Sequence, residues 1–229
     1  MTDWVAVNKG MLSRLLYPNP VCLLSVCSLD HRIRSLMTIS WLTAINNQGK
    51  FICSVHTTRN TAILLKKMGA VFVLNVPVRG MEELILAIGG TSSADGDKFE
   101  QLNVALCAPG GGPLEGPATS ATKIGHSLKQ KVSKKDLMRQ EVTEAVAQSI
   151  ALSDCVAHLV CRVDTVTDDD GHLLLRCTQL AGWARQEYWD GRNFIAQYGT
   201  HAEPYLTFLG SKTFGYVLPE KSVTSLKEI

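Results

Sequence analysis

Residues 54–61, SVHTTRNT, place several strong hydrogen-bond donors side by side in one short stretch. Four of the eight residues carry a hydroxyl group, and Arg59 adds a planar guanidinium that can bind two oxygens of one anion. Such a stretch is either the polar cap of a helix or a cradle for an anion such as phosphate. The donor residues are Ser54, His56, Thr57, Thr58, Arg59, Asn60 and Thr61.

The position of this stretch is compatible with the phosphate interpretation. It ends an apolar run and precedes the helix-like sequence AILLKKMG. The first N–H groups of a helix lack intrahelical partners, and the positive end of the helix dipole attracts anions. Because any polar loop before a helix offers similar groups, both interpretations stay open on these residues alone.

No motif for covalent or acid–base catalysis occurs in the chain, so we predict no catalytic side chain. The Gly-x-Ser-x-Gly, His-Glu-x-x-His and Cys-Gly-Ser-Cys patterns are absent, as is the Gly-x-Gly-x-x-Gly dinucleotide fingerprint. If the protein is an enzyme, a bound cofactor is therefore expected to carry the chemistry.

Seven cysteines lie mostly among apolar residues, which is typical of reduced, buried thiols in a reducing compartment. The spacing of Cys155, His158 and Cys161 could suggest zinc. On a strand, however, side chains alternate between faces, so His158 would point away from both cysteines. Structural zinc also usually needs four converging ligands. We therefore expect no metal site.

The composition is that of an ordinary folded protein of 229 residues, with 45% hydrophobic and 19% charged residues. A net charge of +2 gives no reason to expect a nucleic-acid or membrane partner. No run of about 18 apolar residues occurs, and the N-terminus lacks the apolar core of a signal peptide. We expect a cytoplasmic protein.

Closely spaced strands separated by turns dominate the N-terminal half, which favours a sheet that closes into a barrel. A short helix at 61–69 ends at a glycine. Residues 80–105 resume helical character, and the Gly/Pro-rich residues 108–117 predict a connector. Asp170-Gly171 is a hairpin signal between two late strands. The predicted strands are 20–29, 36–46, 51–57, 70–78, 155–166 and 172–183.

Residues 123–139 are rich in lysine, with Asp136 as their single acid. A solvated surface loop or helix explains such a charge run. A patch for a phosphorylated cosubstrate is the alternative, and a nucleic-acid-binding barrel that uses these lysines is a third interpretation.

Six motifs follow one another along the chain at family-like spacing. They are PNPVCLLSV (18–26), SLMTISWLTAI (35–45), FICSVHTTRNTAILL (51–65), VFVLNVP (71–77), GDKFE (96–100) and YLTFLGSKTFG (205–215). In this order they resemble the flavin reductase-like family, whose fold is the FMN-binding split β-barrel. The resemblance covers roughly residues 15–105 and 150–216. It implies a mainly β protein with helices, folded as one domain over residues 1–229, with a basic insertion at about 118–147.

The resemblance implies that two segments hold an FMN cofactor. Residues 38–41 would line the isoalloxazine, largely with backbone groups, and residues 54–61 would meet the phosphate. Asn75 would lie near the flavin, and Lys98 would contribute from the mouth of the site. For Trp41 and Asn75, a role as core or strand-end residues is the simpler alternative. The implied residues are Thr38, Ile39, Ser40, Trp41, Ser54, Val55, His56, Thr57, Arg59, Asn60, Thr61, Asn75 and Lys98.

The resemblance also implies an NAD(P)H-dependent flavin reductase. Hydride would pass from NADH or NADPH to FMN, which then reduces an unidentified electron acceptor. Such a transfer depends on stacking and orientation more than on a protein acid or base. The resemblance further implies a homodimer with FMN near the subunit interface. The alternative is a flavin-binding electron carrier without nicotinamide activity.

Overall fold

The computed structural model describes residues 19–114, 133–196 and 201–218, which form a mainly β structure. A small sheet joins β1 (Asn19–Pro20), β11 (Tyr205–Gly210) and β12 (Thr213–Val217), and β7 (Leu106–Cys107) pairs with β8 (Ala151–Leu152). The large sheet has seven strands, in the spatial order β3-β2-β6-β9-β10-β5-β4. They are β2 (Cys22–Cys27), β3 (Arg34–Ile39), β4 (Leu42–Ala44), β5 (Lys50–His56), β6 (Val71–Val76), β9 (Ala157–Asp169) and β10 (His172–Ala184).

The two edge strands of the large sheet are consecutive in sequence. β3 forms one edge and β4 the other, yet only Ser40 and Trp41 separate Ile39 from Leu42. Because three extended residues span at most about 10 Å, the sheet must curl until its edges nearly meet. This curled antiparallel half-barrel confirms the predicted split barrel. It also shows that residues 36–46 form two strands, since the chain changes edge at Ser40.

Alternation along the strands divides the buried residues between two cores. Leu24 of β2, Phe72 of β6 and Leu175 of β10 belong to the first core, on one face of the sheet. Leu23 of β2 and Leu36 of β3 point the other way, into a second core. Nearly every residue of β2 is buried because both of its faces are covered, which explains why all of its residues except Ser25 are apolar.

The described helices are α1 (Asn60–Leu65), α2 (Glu82–Gly90), α3 (Lys98–Gln101) and α4 (Lys134–Ala147). α1 ends at Leu65, so it is shorter than the helix predicted over 61–69. The turn that follows α1 ends at Gly69, whose φ is +85°. α4 contains the end of the lysine-rich segment, whose residues 123–132 lie outside the described residues. Within the described ranges, every helix is too short or too polar to cross a membrane.

One hairpin forms where its turn residues predict it, and a second forms at a turn that the sequence did not signal. Asp170 and Gly171 join β9 to β10 with φ values of +48° and +80°. Ser211 and Lys212 join β11 to β12 with φ values of +48° and +64°. Because β10 also pairs with β5, the first hairpin turn lies beside the end of β5. There, Thr57 Oγ1 donates a hydrogen bond of 2.8 Å to the Gly171 carbonyl.

Candidate functional site

A cleft of about 420 Å³ opens where β3 ends and β5 leads into α1. It is called the main cleft here, and the structure brings both predicted segments, 38–41 and 54–61, to it. Pairing of β4 with β5 explains the approach, since the Ser54 N–H donates to the Trp41 carbonyl at 3.0 Å. The lining residues are Met37, Thr38, Ile39, Ser40, Trp41, Ser54, His56, Thr58, Arg59 and His172.

A narrower cleft of about 110 Å³, called the cation cleft, adjoins the main cleft. The two share Met37, Thr38, Thr58 and Arg59 as lining residues. The start of α1, the end of α2 and the loop before α3 supply the rest. These further residues are Asn60, Thr61, Ile88, Gly89, Thr91, Ser92, Ser93 and Lys98.

Two cations, Arg59 and Lys98, face this cleft together. Lys98 is only 5% exposed, and its Nζ donates to the Ile88 carbonyl at 2.7 Å. Burial lowers the pKa of Lys98, and the neighbouring charge of Arg59 lowers it further. Among the described residues, no carboxylate forms an ion pair with either side chain. An anion in the cleft would therefore offset an electrostatic cost that the chain itself leaves uncompensated.

The hydroxyls of the 54–61 segment are mostly engaged inside the protein. Thr57 donates to the Gly171 carbonyl, as described above, and Thr58 Oγ1 lies 2.8 Å from His56 Nδ1. Thr61 is 2% exposed and shares a 2.8 Å hydrogen bond with Ser35. Within the described ranges, only Ser54 of the four hydroxyl residues has a side chain without such a partner. The cradle expected from sequence therefore rests less on these hydroxyls than on the two cations.

A hydroxyl relay adds one donor that the sequence did not single out, Ser93. Ser35 Oγ donates to Ser93 Oγ at 2.9 Å and can accept from Thr61. This arrangement leaves the hydroxyl hydrogen of Ser93 available to a ligand in the cation cleft, which Ser93 lines. The adjacent serines 92 and 93, in a polar loop five residues before Lys98, were the available sequence signal.

An aromatic wall closes one side of the main cleft. The ring of His172 lies 4.7 Å from that of His56 and 5.5 Å from that of Trp41, measured between centroids. Sequence reasoning missed His172, because it faces His56 only through the pairing of β10 with β5. Trp41 is 44% exposed, so its ring borders the cleft and is not buried in the core.

Three of the expected site residues, Val55, Thr57 and Asn75, line neither cleft, and two of them, Val55 and Asn75, are buried. Val55 is 1% exposed and belongs to the first core. Asn75 is fully buried, where its Nδ2 donates to the Leu23 carbonyl at 2.8 Å and to Ser25 Oγ at 3.0 Å. Its Oδ1 accepts from the Leu152 N–H at 3.0 Å. Asn75 thus ties β6 to β2 and β8 and lines neither cleft.

His158, from the motif that could suggest zinc, is likewise held by backbone groups. Its Nδ1 accepts a hydrogen bond from the Gly110 N–H at 3.1 Å, so Nε2 is the donor to the Leu152 carbonyl at 2.9 Å. Burial lowers the pKa of His158, an effect that the bond to Leu152 opposes and the charge of Arg185 reinforces. In the described ranges, no three potential ligands converge on one point.

No protein-family model and no curated protein matches the chain. Solved structures match it over nearly its whole length. Flavoredoxin from Methanosarcina acetivorans has a TM-score of 0.66 at 15% identity, over 99% of this chain and 97% of its own. The FMN-binding protein from Thermus thermophilus has a TM-score of 0.65 at 16% identity, over 97% and 99%.

The NADH:FAD oxidoreductase from Streptomyces globisporus is a third neighbour, with a TM-score of 0.60 at 13% identity, over 95% of this chain and 99% of its own. Identities this low show a common fold and nothing about activity. The activity of this chain has to be inferred from its own residues. The chain has the split β-barrel fold of the flavoredoxins and flavin reductase-like proteins, as the order of its motifs predicts.

Proposed function

We propose that this protein binds FMN and acts as an NAD(P)H-dependent flavin oxidoreductase. The observation that carries the proposal is the cation cleft, where Arg59 and the buried Lys98 meet without a carboxylate partner among the described residues. A phosphate group would pair with both cations and accept from Ser93. The names of the structural neighbours, an FMN-binding protein among them, support this choice of ligand.

The two clefts together fit the two ends of FMN. The phosphate would bind in the cation cleft, because its negative charge would compensate the positive charges of Arg59 and Lys98. The isoalloxazine belongs in the main cleft, where residues 38–41 offer backbone groups and Trp41 and His172 offer ring faces. The two ends can be parts of one molecule because the clefts share Thr38 and Arg59.

In the proposed reaction, NAD(P)H, one proton and an acceptor give NAD(P)⁺ and the acceptor reduced by two electrons. FMN supplies the hydride-transfer chemistry when it is bound. The chain's own residues bind and orient the cofactor, and we assign none of them a covalent role. The Streptomyces globisporus enzyme is named an NADH:FAD oxidoreductase and is known in complex with NAD and FAD fragments, which supports a nicotinamide partner.

We also propose that the protein is a homodimer. An apolar cavity of about 860 Å³ is lined in part by Trp183 and Trp189, which are 38% and 47% exposed. Apolar surface of this kind is commonly covered by another protein surface.

We further propose a single domain in which residues 118–147 are an insertion. A cytoplasmic location accords with the seven cysteines, which are all free thiols.

Absorbance spectroscopy of the purified protein, followed by identification of the released flavin, tests the proposal. We expect bound FMN, and we expect titration of the flavin-free protein to show tighter binding of FMN than of riboflavin. Equal affinity for the two would remove the phosphate argument. Oxidation of NADH or NADPH then separates a reductase from an electron carrier, since a carrier would bind FMN without consuming either nucleotide.

A further inference from the structure

A third cleft, of about 360 Å³, adjoins the main cleft at the end of β3. Thr38, Ile39 and Ser40 line both clefts, so a molecule in the third cleft would lie next to one in the main cleft. The third cleft is bounded by the end of α2 and by the hairpin of β11 and β12. We call it the hairpin cleft.

The walls of the hairpin cleft are mainly apolar. Ile85 and Leu86 of α2 form one side, and Phe208 and Phe214 form another, with ring centroids 5.8 Å apart. Gly90 lines the cleft as well, and a Cβ added there would meet no atom within 4 Å. An apolar cleft with two aromatic rings in its wall suits a conjugated molecule.

One cation, Lys212, stands among these apolar walls. It makes no ion pair within the part of the chain that the structure describes. Lys212 also occupies a turn position with a φ of +64°, where glycine or asparagine would be less strained. Strain retained at a charged residue beside a cleft is a reason to suspect a binding role.

We propose that the hairpin cleft binds the electron acceptor and that the acceptor is an aromatic carboxylic acid with a conjugated C=C bond. That bond would take up one hydride and one proton to give the saturated acid, while NAD(P)H is oxidised to NAD(P)⁺. The aromatic part would lie against Phe208 and Phe214, and the carboxylate would pair with Lys212. This inference rests on the proposed function, because the acceptor role requires FMN in the main cleft. Binding of an aromatic acid to the hairpin cleft, however, does not require the cofactor.

Cinnamate and its uncharged amide, cinnamamide, test the binding site in flavin-free protein. We expect NMR titration to show cinnamate binding about fivefold tighter than cinnamamide, the factor of a solvent-exposed ion pair. Lys212→Asn, which tolerates the turn conformation, should make the affinities of the two ligands equal. Lys212→Arg keeps the positive charge and should keep the preference for cinnamate. Gly90→Leu places a large side chain in the cleft and should weaken the binding of both ligands. Gly90→Ala adds only a Cβ and should leave the cleft open to them.

Several results would overturn the proposal. They are absence of cinnamate binding to the parent protein, an unchanged preference in Lys212→Asn, and unchanged affinities in Gly90→Leu. In FMN-loaded protein, cinnamate should also shift the visible absorbance of the flavin, and binding without such a shift would overturn the acceptor role. If FMN itself does not bind, the proposed function fails, while the flavin-free titration still decides whether the hairpin cleft binds aromatic acids.

Discussion

Arg59 and Lys98 are 39 positions apart in the sequence, yet their side chains line one small cleft and repel each other there. Arg59 comes from the residue before α1 and Lys98 from the first residue of α3. Two like charges that share a partly buried site raise the free energy of the empty protein. A bound phosphate removes that cost, which makes this pair the centre of the proposed cofactor site.

Replacing Arg59 with alanine should weaken FMN binding and leave riboflavin binding unchanged. A hydrogen bond to a charged group contributes about 1.5–3 kcal/mol, which corresponds to roughly a ten- to hundredfold change in affinity. Fluorescence titration of both flavins into both proteins measures the effect. Arg32→Ala is the matched control, because Arg32 is highly exposed and, among the described residues, forms an ion pair with Asp30 alone. Unchanged FMN affinity in Arg59→Ala would contradict the contact between Arg59 and the phosphate.

The preference for FMN over riboflavin should decrease as the pH rises through the pKa of Lys98. Burial and Arg59 place that pKa below the usual 10.5. Only the protonated amine attracts the phosphate, so its loss weakens FMN binding specifically. The ratio of the two flavin affinities, measured between neutral and alkaline pH, reports this change and removes effects common to both flavins.

Lys98→Arg provides the control for this pH dependence, because a guanidinium stays charged throughout the range. In Lys98→Arg, the ratio of FMN affinity to riboflavin affinity should stay constant over the pH range in which the ratio of the parent protein decreases. A parent ratio that is equally level would show that Lys98 does not contact the phosphate.

Asn75→Ala should lower the stability of the protein without changing FMN affinity by more than about twofold. The substitution leaves the buried Leu152 N–H without its partner, which costs about 1–3 kcal/mol. Urea unfolding measures the loss of free energy, and flavin titration of the folded variant measures the affinity. A tenfold loss of FMN affinity in a stable variant would instead support the contact with flavin that the family resemblance implies.

His158 should make the protein less stable in acid. Burial lowers the pKa of the folded histidine below the 6.5 that it regains on unfolding. The unfolded chain then binds more protons, so the free energy of unfolding falls as the pH decreases from 6.5 through the lowered pKa. His158→Gln cannot titrate, and its unfolding free energy should depend less steeply on pH over this window. Equal slopes for the two proteins contradict the assignment.

Sedimentation should give a mass twice the 25.0 kDa of one chain. The physical reason is the exposed apolar surface around Trp183 and Trp189, which a second chain would cover. Trp189→Glu, which places a charge on that surface, should shift the equilibrium toward the monomer. A parent protein that sediments as a monomer with FMN bound would contradict the homodimer.

Local sequence determined most of the strands, the Asp170-Gly171 turn and the residue types of the site. Asp170-Gly171 defines its hairpin through backbone preferences of those two residues. The donors of residues 54–61 likewise indicate an anion site from the sequence alone, because their chemistry belongs to the side chains themselves.

Tertiary structure alone decided which residues meet. His172 reaches His56 through strand pairing across more than 100 residues, and Ser93 and Lys98 reach Arg59 because α2 and α3 cover the second core. Asn75 turned inward for a similar reason, since Ser25 and Leu152 are its partners there. Turn and strand preferences act within a few residues of one another, whereas these contacts follow from the curling of the whole sheet, which depends on the packing of all seven strands at once.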